Sequence, residues 1–305
     1  MKRNASIELW RCFCMLAVVC SHVVVNNGVG SFTGWMWHVP GFLLITAFFG
    51  IKFRWIKVLK LLGVCYGCYW LTIPLRGGAI DSVDLVLPHG GWFVPFYIVL
   101  MILSPILNAA IASGDHKQMA LIVGALLLFA WCPCFCPRLG MMRIAGMQGS
   151  GMLLMISIYL LARLAAEHSL LHKVNRFVGG GLFLLLNVVS VLVYSRYPEA
   201  GSYVSPLSIA AAFCGFSFVA NIKLPKWLER VVCFVAPSMF GVYLLHECCL
   251  KSWQYSDFAA HSYGHALVWA CCLFFACVML DMIRRFVLSA LKMLGGRFWN
   301  CVHKL

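Results

Sequence analysis

Long hydrophobic runs, separated by short polar segments, follow one another along almost the whole chain. A helix needs about 20 apolar residues to cross the hydrocarbon core of a bilayer, which is about 30 Å thick. Ten runs are candidate transmembrane helices, at residues 7–25, 36–51, 58–75, 92–112, 119–136, 151–165, 177–194, 206–220, 231–250 and 265–282. The pattern predicts an all-α, polytopic integral membrane protein with about ten transmembrane helices.

The runs differ in length, which affects how each is expected to lie in the membrane. The segments at 36–51, 151–165 and 206–220 are short, so tilted, broken or interfacial helices are expected there. Residues after 282 form an amphipathic pattern, which predicts a helix on the cytoplasmic surface. We find no segment with the composition of a soluble domain, so the sequence predicts a single membrane domain over residues 1–305.

The composition excludes a soluble globular protein. Hydrophobic residues make up 62% of the 305 residues and charged residues only 11%. A single soluble core cannot bury that much apolar surface. The apolar run from Leu9 to Val25 has no small-residue cleavage site, so it predicts a retained first span rather than a signal peptide.

The net charge of +14 would suggest nucleic-acid binding in a soluble protein. When the loops are assigned to alternate faces, however, 19 of the 24 Lys and Arg residues lie on the side of the N-terminus. Cytoplasmic loops of membrane proteins carry this excess of positive charge. We therefore expect both termini to be cytoplasmic, membrane lipid to be the surrounding partner, and no nucleic acid to bind.

The first predicted span carries ionisable residues inside or at the edge of the membrane, namely Glu8, Arg11 and His22. Such residues are costly in lipid and usually mark a pathway or a reaction site. Arg11 and His22 are eleven residues apart, which is three helical turns with about 20° left over, so both face the same way. Along the axis they are about 16 Å apart, so Arg11 can meet the aqueous head of a long ligand while His22 meets its reactive end.

The sixteen cysteines of the chain do not predict a metal site. Most of them lie inside apolar runs, where cysteine behaves as a small hydrophobic residue. Cys65 and Cys68 have the spacing of a metal or redox pair, but no second pair completes a tetrahedral set. We therefore expect no metal.

The opening of the chain resembles the membrane-bound acyltransferase family 3, which O-acylates bacterial surface glycans. The resemblance rests on Arg11 and His22, separated by ten residues, on a first span that is entered through R-N-x-S-I-E. Three further stretches resemble the family in their order and spacing. They are H-V-P-G-F-L-L-I-T-A-F-F-G at 38–50, W-F-V-P-F-Y-I-V-L-M-I-L-S-P-I-L-N at 92–108 and F-G-V-Y-L-L-H-E at 240–247. In the stretch at 38–50, Thr46-Ala47 stands where the family usually has a Ser-Gly pair.

The resemblance implies transfer of an acyl group, most often acetyl, from cytoplasmic acetyl-coenzyme A to a hydroxyl of a glycan, cell-wall or lipid-linked sugar. It also implies that the protein is located in the bacterial cytoplasmic membrane. A sugar hydroxyl is a poor nucleophile, so an imidazole that takes its proton accelerates attack by about a hundred- to ten-thousand-fold. His22 is the candidate base or acyl carrier. Arg11 is a candidate for contacting the donor, with Glu8 holding its guanidinium.

Coenzyme A carries phosphates, which require fixed positive charge at the cytoplasmic face. Arg54, Lys57 and Lys60 lie at helical spacing at the start of the third span and are the candidate donor-binding residues. The family usually has two arginines followed by proline here, whereas this chain has R-W-I-K-V-L-K. Positive-inside topology alone also explains these side chains.

Three further residues are candidates for contacting the substrate. His38 lies near the mouth of the second span, Trp92 at the start of the fourth and His246 in the ninth. The alternative for the two histidines is an interfacial or hydrogen-bonded core residue, and for Trp92 a place in the aromatic belt of the membrane.

Two other functional classes fit a ten-span protein with buried charge. One is a transporter or exporter of a polysaccharide or lipid-linked sugar, for which inverted repeats with broken helices would be the sign. The other is a membrane anchor or sensor without activity, against which the pairing of Arg11 with His22 argues.

Overall fold

The computed structural model describes residues 4–28, 36–73, 93–135, 151–195, 203, 205–253 and 262–302, and these contain helices and turns but no strand. A 3₁₀ turn, Ala236–Ser238, joins two of the α-helices. The α-helices are α1 (Ala5–Asn26), α2 (His38–Phe49), α3 (Trp55–Thr72), α4 (Phe93–Ala112), α5 (His116–Phe135), α6 (Met152–Glu167), α7 (Leu170–Lys173), α8 (Arg176–Tyr194), α9 (Pro206–Ala220), α10 (Lys226–Val235), α11 (Met239–Trp253) and α12 (Tyr263–Val302).

Every predicted span falls on helical structure, which confirms the all-α class. Within the described ranges, five stretches are long and apolar enough to cross a membrane: α1, α4, α8, the α10–α11 unit and α12. At about 1.5 Å per residue, the 12 residues of α2 reach only about 18 Å. The count of ten crossings therefore stays a prediction.

Helix α1 lies at the centre of the bundle. In its most apolar stretch 67% of the residues are buried, against 22–44% in the other four membrane-length stretches. It contacts α2, α9, α10, α11 and α12. Its first turn is capped by Asn4, whose side-chain oxygen accepts hydrogen bonds from the backbone N–H groups of Ser6 and Ile7 at 3.1 and 3.4 Å.

Helix α2 is short, and other helices enclose it. It packs against α1, α6 and α9, and eight of its residues are buried. Non-spanning structure at membrane depth is tolerated where protein covers it. The expectation that the segment at 36–51 is tilted, broken or interfacial stays a prediction.

The turn that follows α2 is held by a polar network. Tyr159 donates its hydroxyl hydrogen to Asn108 Oδ1 at 2.8 Å and accepts from the Ile51 backbone N–H at 3.0 Å. Asn108 Nδ2 donates to the Ile51 carbonyl at 2.9 Å. The turn begins at Gly50, where φ is +68°, a value that glycine adopts without a side-chain clash. Helices α4 and α6 thus fix the position at which α3 begins.

The ninth predicted span is not one continuous helix. A break over Ala236–Ser238 separates α10 from α11, and Pro237 lies within it. Proline cannot donate a backbone hydrogen bond and clashes with the preceding turn, which explains the break. The tenth predicted span and the amphipathic tail, by contrast, form the single helix α12, whose length of about 60 Å exceeds the thickness of a bilayer core.

The contact between α11 and α12 depends on a glycine. Asp281, which is fully buried, is ion-paired with Arg284 at 2.6 Å, and its carboxylate lies against Gly241. A Cβ atom at Gly241 would overlap that carboxylate. The close approach of the two helices therefore requires a residue without a side chain at this position.

We expect Gly241→Ala to destabilise the protein by about 1–3 kcal/mol, because the added methyl group forces the α11–α12 contact apart. Gly181→Ala in α8 is a matched control, since a Cβ there meets no atom within 4 Å. Thermal unfolding in detergent, followed by size-exclusion chromatography, measures both variants. Equal stability of the two variants would contradict the packing described for Gly241.

Candidate active site

A cavity of about 460 Å³ lies between α1, α2 and α11. Its volume is in the range of ordinary ligand pockets. Most of its lining is apolar or aromatic, with ionisable groups at separate points. The lining residues are Arg11, Met15, Val18, His22, His38, Val39, Phe42, Ile45, Thr46, Leu61, Phe93, Tyr97, Tyr203, Ala236, Pro237, Met239, Phe240, Tyr243 and Glu247.

Arg11 and His22 both line this cavity, as the helical spacing indicated. Met15 and Val18 lie between them on the same face of α1, at intervals of four, three and four residues. The Arg11 guanidinium forms an ion pair of 3.1 Å with Glu8, whose side chain is only 9% exposed. Glu8 therefore holds the guanidinium in place.

The ring of His22 is hydrogen-bonded to that of His246, and the geometry assigns the tautomer of both. His246 Nδ1 lies 3.0 Å from the backbone carbonyl of Val242, which can only accept, so the hydrogen of neutral His246 is on Nδ1. His246 Nε2 then carries a lone pair, and His22 Nδ1, 2.9 Å away, donates to it. Neutral His22 is left with its own lone pair on Nε2. Among the described residues no group is hydrogen-bonded to that nitrogen, so it can accept a proton.

Glu247 adds negative charge beside this pair. Its carboxylate oxygen Oε1 lies 3.8 Å from His22 Nδ1, and both side chains are about 30% exposed. A carboxylate at this distance favours the imidazolium that forms when His22 takes a proton. His22, His246 and Glu247 therefore form a proton-accepting unit in which one ring fixes the other and the carboxylate stabilises its charged form.

The same three residues are also a possible metal-binding group. Each offers one ligand atom, and these atoms lie within 4.8 Å of one another. Two of the atoms, His22 Nδ1 and His246 Nε2, are already paired by their hydrogen bond of 2.9 Å. A metal ion would have to replace that bond. The expectation that no metal is required stays a prediction.

The candidate substrate residues have different positions. His38 lines the cavity and is fully buried at the first position of α2. His246 contacts His22 from behind rather than facing the cavity. Trp92 lies outside the described residues, but Phe93, its neighbour in sequence, is in the lining.

The candidate donor-binding residues are not part of the cavity lining. Arg54, Lys57 and Lys60 are exposed at the N-terminal end of α3, and the lining residue of that helix is Leu61. Lys57 Nζ donates to the carbonyl of Lys52 at 3.0 Å. These cations lie on the surface, so their role in donor binding stays a prediction.

Sequence reasoning missed several cavity residues. Glu247 is the last residue of the motif at 240–247, and an acidic residue in an apolar run is itself a signal of a functional site. Pro237 was a signal for the helix break that contributes to the lining. Tyr203 and Tyr243 carry no comparable signal, because tyrosine is common at membrane interfaces.

The arrangement places a proton acceptor and a fixed cation on one wall of a largely apolar cavity. The cation can bind a polar or anionic part of an extended ligand, and His22 Nε2 can deprotonate a hydroxyl near the other end. Aromatic rings of α4 and α11, from Phe93, Tyr97 and Tyr243, complete a surface against which a ligand can pack.

Comparison with known proteins adds one finding. Residues 4–283 match the model of a family described as an acyltransferase domain, so the match extends over nearly the whole chain. The chain matches no curated protein and no solved structure.

Proposed function

This chain belongs to the acyltransferase domain family, and from that premise we propose a specific reaction for it. It is a membrane acyltransferase that moves an acetyl group from cytoplasmic acetyl-coenzyme A to a hydroxyl of a cell-surface glycan, exopolysaccharide or lipid-linked sugar. Its location is the bacterial cytoplasmic membrane.

The observation that carries the proposal is the tautomer of His22, which lines the cavity and has its Nε2 lone pair unpaired within the described ranges. The hydrogen bond from His22 Nδ1 to His246 leaves that atom as the proton acceptor. In the reaction, His22 Nε2 takes the hydroxyl proton of the acceptor while the oxygen bonds to the carbonyl carbon of the thioester. The resulting imidazolium lies 3.8 Å from Glu247, which stabilises it.

The second half of the reaction returns the proton. The tetrahedral intermediate collapses, the carbon–sulfur bond breaks, and the leaving thiolate receives the proton from His22 Nε2. The products are the acetyl ester and coenzyme A, and His22 is neutral again. No other proton donor or acceptor is needed for the balance.

Arg11 is suited to the donor. It lies on the same helical face as His22 and about 16 Å from it along the axis, on the side of the N-terminus. Arginine presents several N–H donors in a fixed fork, which suits phosphate or carbonyl oxygens. We place the polar arm or a phosphate of coenzyme A at Arg11 and the thioester at His22.

Purified full-length protein in liposomes, incubated with acetyl-coenzyme A that carries a radiolabelled acetyl group, tests the proposal. The expected result is release of coenzyme A and transfer of label to added bacterial envelope glycan. Label that stays on wild-type protein without acceptor, but not on folded His22→Ala protein, would identify His22 as an acyl carrier rather than a base alone. Neither release nor transfer with any envelope fraction would overturn the proposed function.

A transporter or exporter of a polysaccharide or lipid-linked sugar is the second candidate, and one observation favours it. The break between α10 and α11 contributes Ala236 and Pro237 to the cavity, and broken helices often form the substrate sites of transporters. Movement of a fluorescent lipid-linked sugar across liposomes, at a rate unaffected by acetyl-coenzyme A, would support this candidate.

We expect the orientation to be the one that the charge distribution predicts. In a cysteine-depleted chain, Ser113→Cys, in the turn between α4 and α5, should react with an impermeant thiol reagent only after the cells are permeabilised. Ser82→Cys, outside the described residues, should react in intact cells. The opposite labelling pattern would show that the orientation is inverted. Arg11 would then lie on the side of the membrane away from cytoplasmic acetyl-coenzyme A.

We expect Arg54→Ala/Lys57→Ala to weaken acetyl-coenzyme A binding at least about tenfold, because charge-assisted bonds to phosphates are worth about 1.5–3 kcal/mol each before solvent screening. Isothermal titration of the reconstituted protein measures the affinity. Lys226→Ala/Arg230→Ala is the matched control, since it removes two exposed cations from α10. Equal affinities of the two double variants would show that Arg54 and Lys57 do not bind the donor and only contribute to the orientation of the protein in the membrane.

A further inference from the structure

His38 is a buried polar side chain that has no hydrogen-bond partner in the part of the chain that the structure describes. It is the first residue of α2, its exposed fraction is 0%, and it lines the cavity that His22 also lines. Neither of its ring nitrogens has a hydrogen-bond partner among the described residues. Buried polar groups are nearly always paired, so each unpaired one requires an explanation.

The surroundings of His38 do not supply that explanation. The rings of Trp37 and Tyr203 lie edge-on to it, with centroids 6.4 and 5.4 Å away. These contacts fix the plane of the imidazole but leave its nitrogens unused. Both nitrogens are buried in the cavity wall, so a small movement of the ring brings its N–H within reach of a molecule that enters the cavity.

The proposed reaction needs such a donor. Attack on the thioester turns the carbonyl oxygen into an oxyanion, and enzymes stabilise it with preorganised hydrogen-bond donors. His22 cannot serve, because its Nδ1 hydrogen is bonded to His246 and its Nε2 is the proton acceptor. Arg11 is about 16 Å from His22 along α1, too far to reach the same carbon atom.

We propose that the N–H of neutral His38 donates a hydrogen bond to the acyl carbonyl oxygen and stabilises the oxyanion during transfer. This inference rests on the proposed function and assigns a second catalytic residue to the same cavity. His22 and His38 then have complementary roles, since one accepts the proton of the nucleophile and the other donates to the electrophile. The binding of the acyl group supplies the partner that His38 lacks.

Infrared spectroscopy tests the hydrogen bond directly. The probe is acetyl-coenzyme A with a ¹³C-labelled acetyl carbonyl, bound to the full-length protein in liposomes. A hydrogen bond weakens the carbonyl bond, so we expect its stretching band at a lower wavenumber than in free solution. In His38→Phe, which preserves a ring but has no N–H, the band should return to the position of the free thioester.

Kinetics give an independent readout, with release of coenzyme A as the measured product. Loss of one oxyanion donor lowers kcat by about 10²–10³-fold, so we expect that loss in His38→Phe with a nearly unchanged KM. His38→Asn and His38→Gln each place an amide N–H near one of the two ring nitrogens. We expect one of them to recover at least about tenfold in kcat, which also identifies the donating nitrogen.

The outcomes separate this inference from the proposed function. If wild-type protein transfers acetyl and folded His38→Phe keeps both the shifted band and the wild-type kcat, His38 is a packing residue and only the inference fails. If His38→Phe does not fold, the folded Asn and Gln variants decide by the same two readouts. If wild-type protein shows neither a bound carbonyl band nor release of coenzyme A, the proposed function fails, and this inference with it.

Discussion

Folded His22→Gln protein is expected to lose acyl transfer by about a hundred- to ten-thousand-fold, the contribution of a positioned general base. Glutamine preserves the approximate size of histidine and some hydrogen bonding, but it cannot accept a proton at neutral pH. His22→Ala should be at least as inactive. Initial rates of coenzyme A release, with protein quantified by size-exclusion chromatography, measure the loss.

A purely structural His22 would give the opposite order. Gln would then largely restore activity, while Ala would lower the yield of folded protein, because His246 would lose its partner at a cost of about 1–3 kcal/mol. His265→Gln, at an exposed position near the start of α12, is the control for a general effect of losing a histidine. Full transfer by folded His22→Gln would defeat the mechanism and move the transporter candidate to first place.

His246→Phe is expected to lower kcat by about a thousandfold, although His246 does not face the cavity, because a catalytic histidine in the wrong tautomer loses nearly all its activity. Phenylalanine removes the acceptor that holds the hydrogen of His22 on Nδ1. His246→Gln keeps an oxygen acceptor near the position of Nε2 and should retain much more activity. The KM for acetyl-coenzyme A should change little in both variants.

Glu247 can compensate in part, since its carboxylate is 3.8 Å from His22 Nδ1 and can move to accept the hydrogen. The double variant His246→Phe/Glu247→Gln removes both acceptors and should be the least active of the set. The ¹⁵N chemical shifts of labelled His22 report its tautomer without any turnover. A double variant with wild-type kcat and an unchanged tautomer would show that His246 does not position the base.

The helices were predictable from the sequence because a bilayer imposes their length and hydropathy locally. The shared face of Arg11 and His22 was also predictable, because helical periodicity alone places the two residues on one side of α1. The enclosed position of α2 was not, because it depends on which helices surround a short apolar run. The number of crossings depends on such short helices.

The partner of His22 could not have been predicted in the same way. The hydrogen bond from His22 to His246 joins residues 224 positions apart, and no local pattern indicates such a contact. His246 was a candidate for contacting substrate, whereas its ring lies behind His22. Arg54 was selected from its charge and spacing, yet topology produces the same pattern, and the structure places it on the surface.

The separation of His22 and His246 along the chain also has a consequence for biosynthesis. A ribosome adds roughly 5–20 residues per second, so about 10–45 s elapse between the synthesis of α1 and that of α11. During that interval α1 is in the membrane while the imidazole that orients its base does not yet exist. Under the mechanism that we propose, the nascent protein gains acyltransferase activity only after α11 has been inserted.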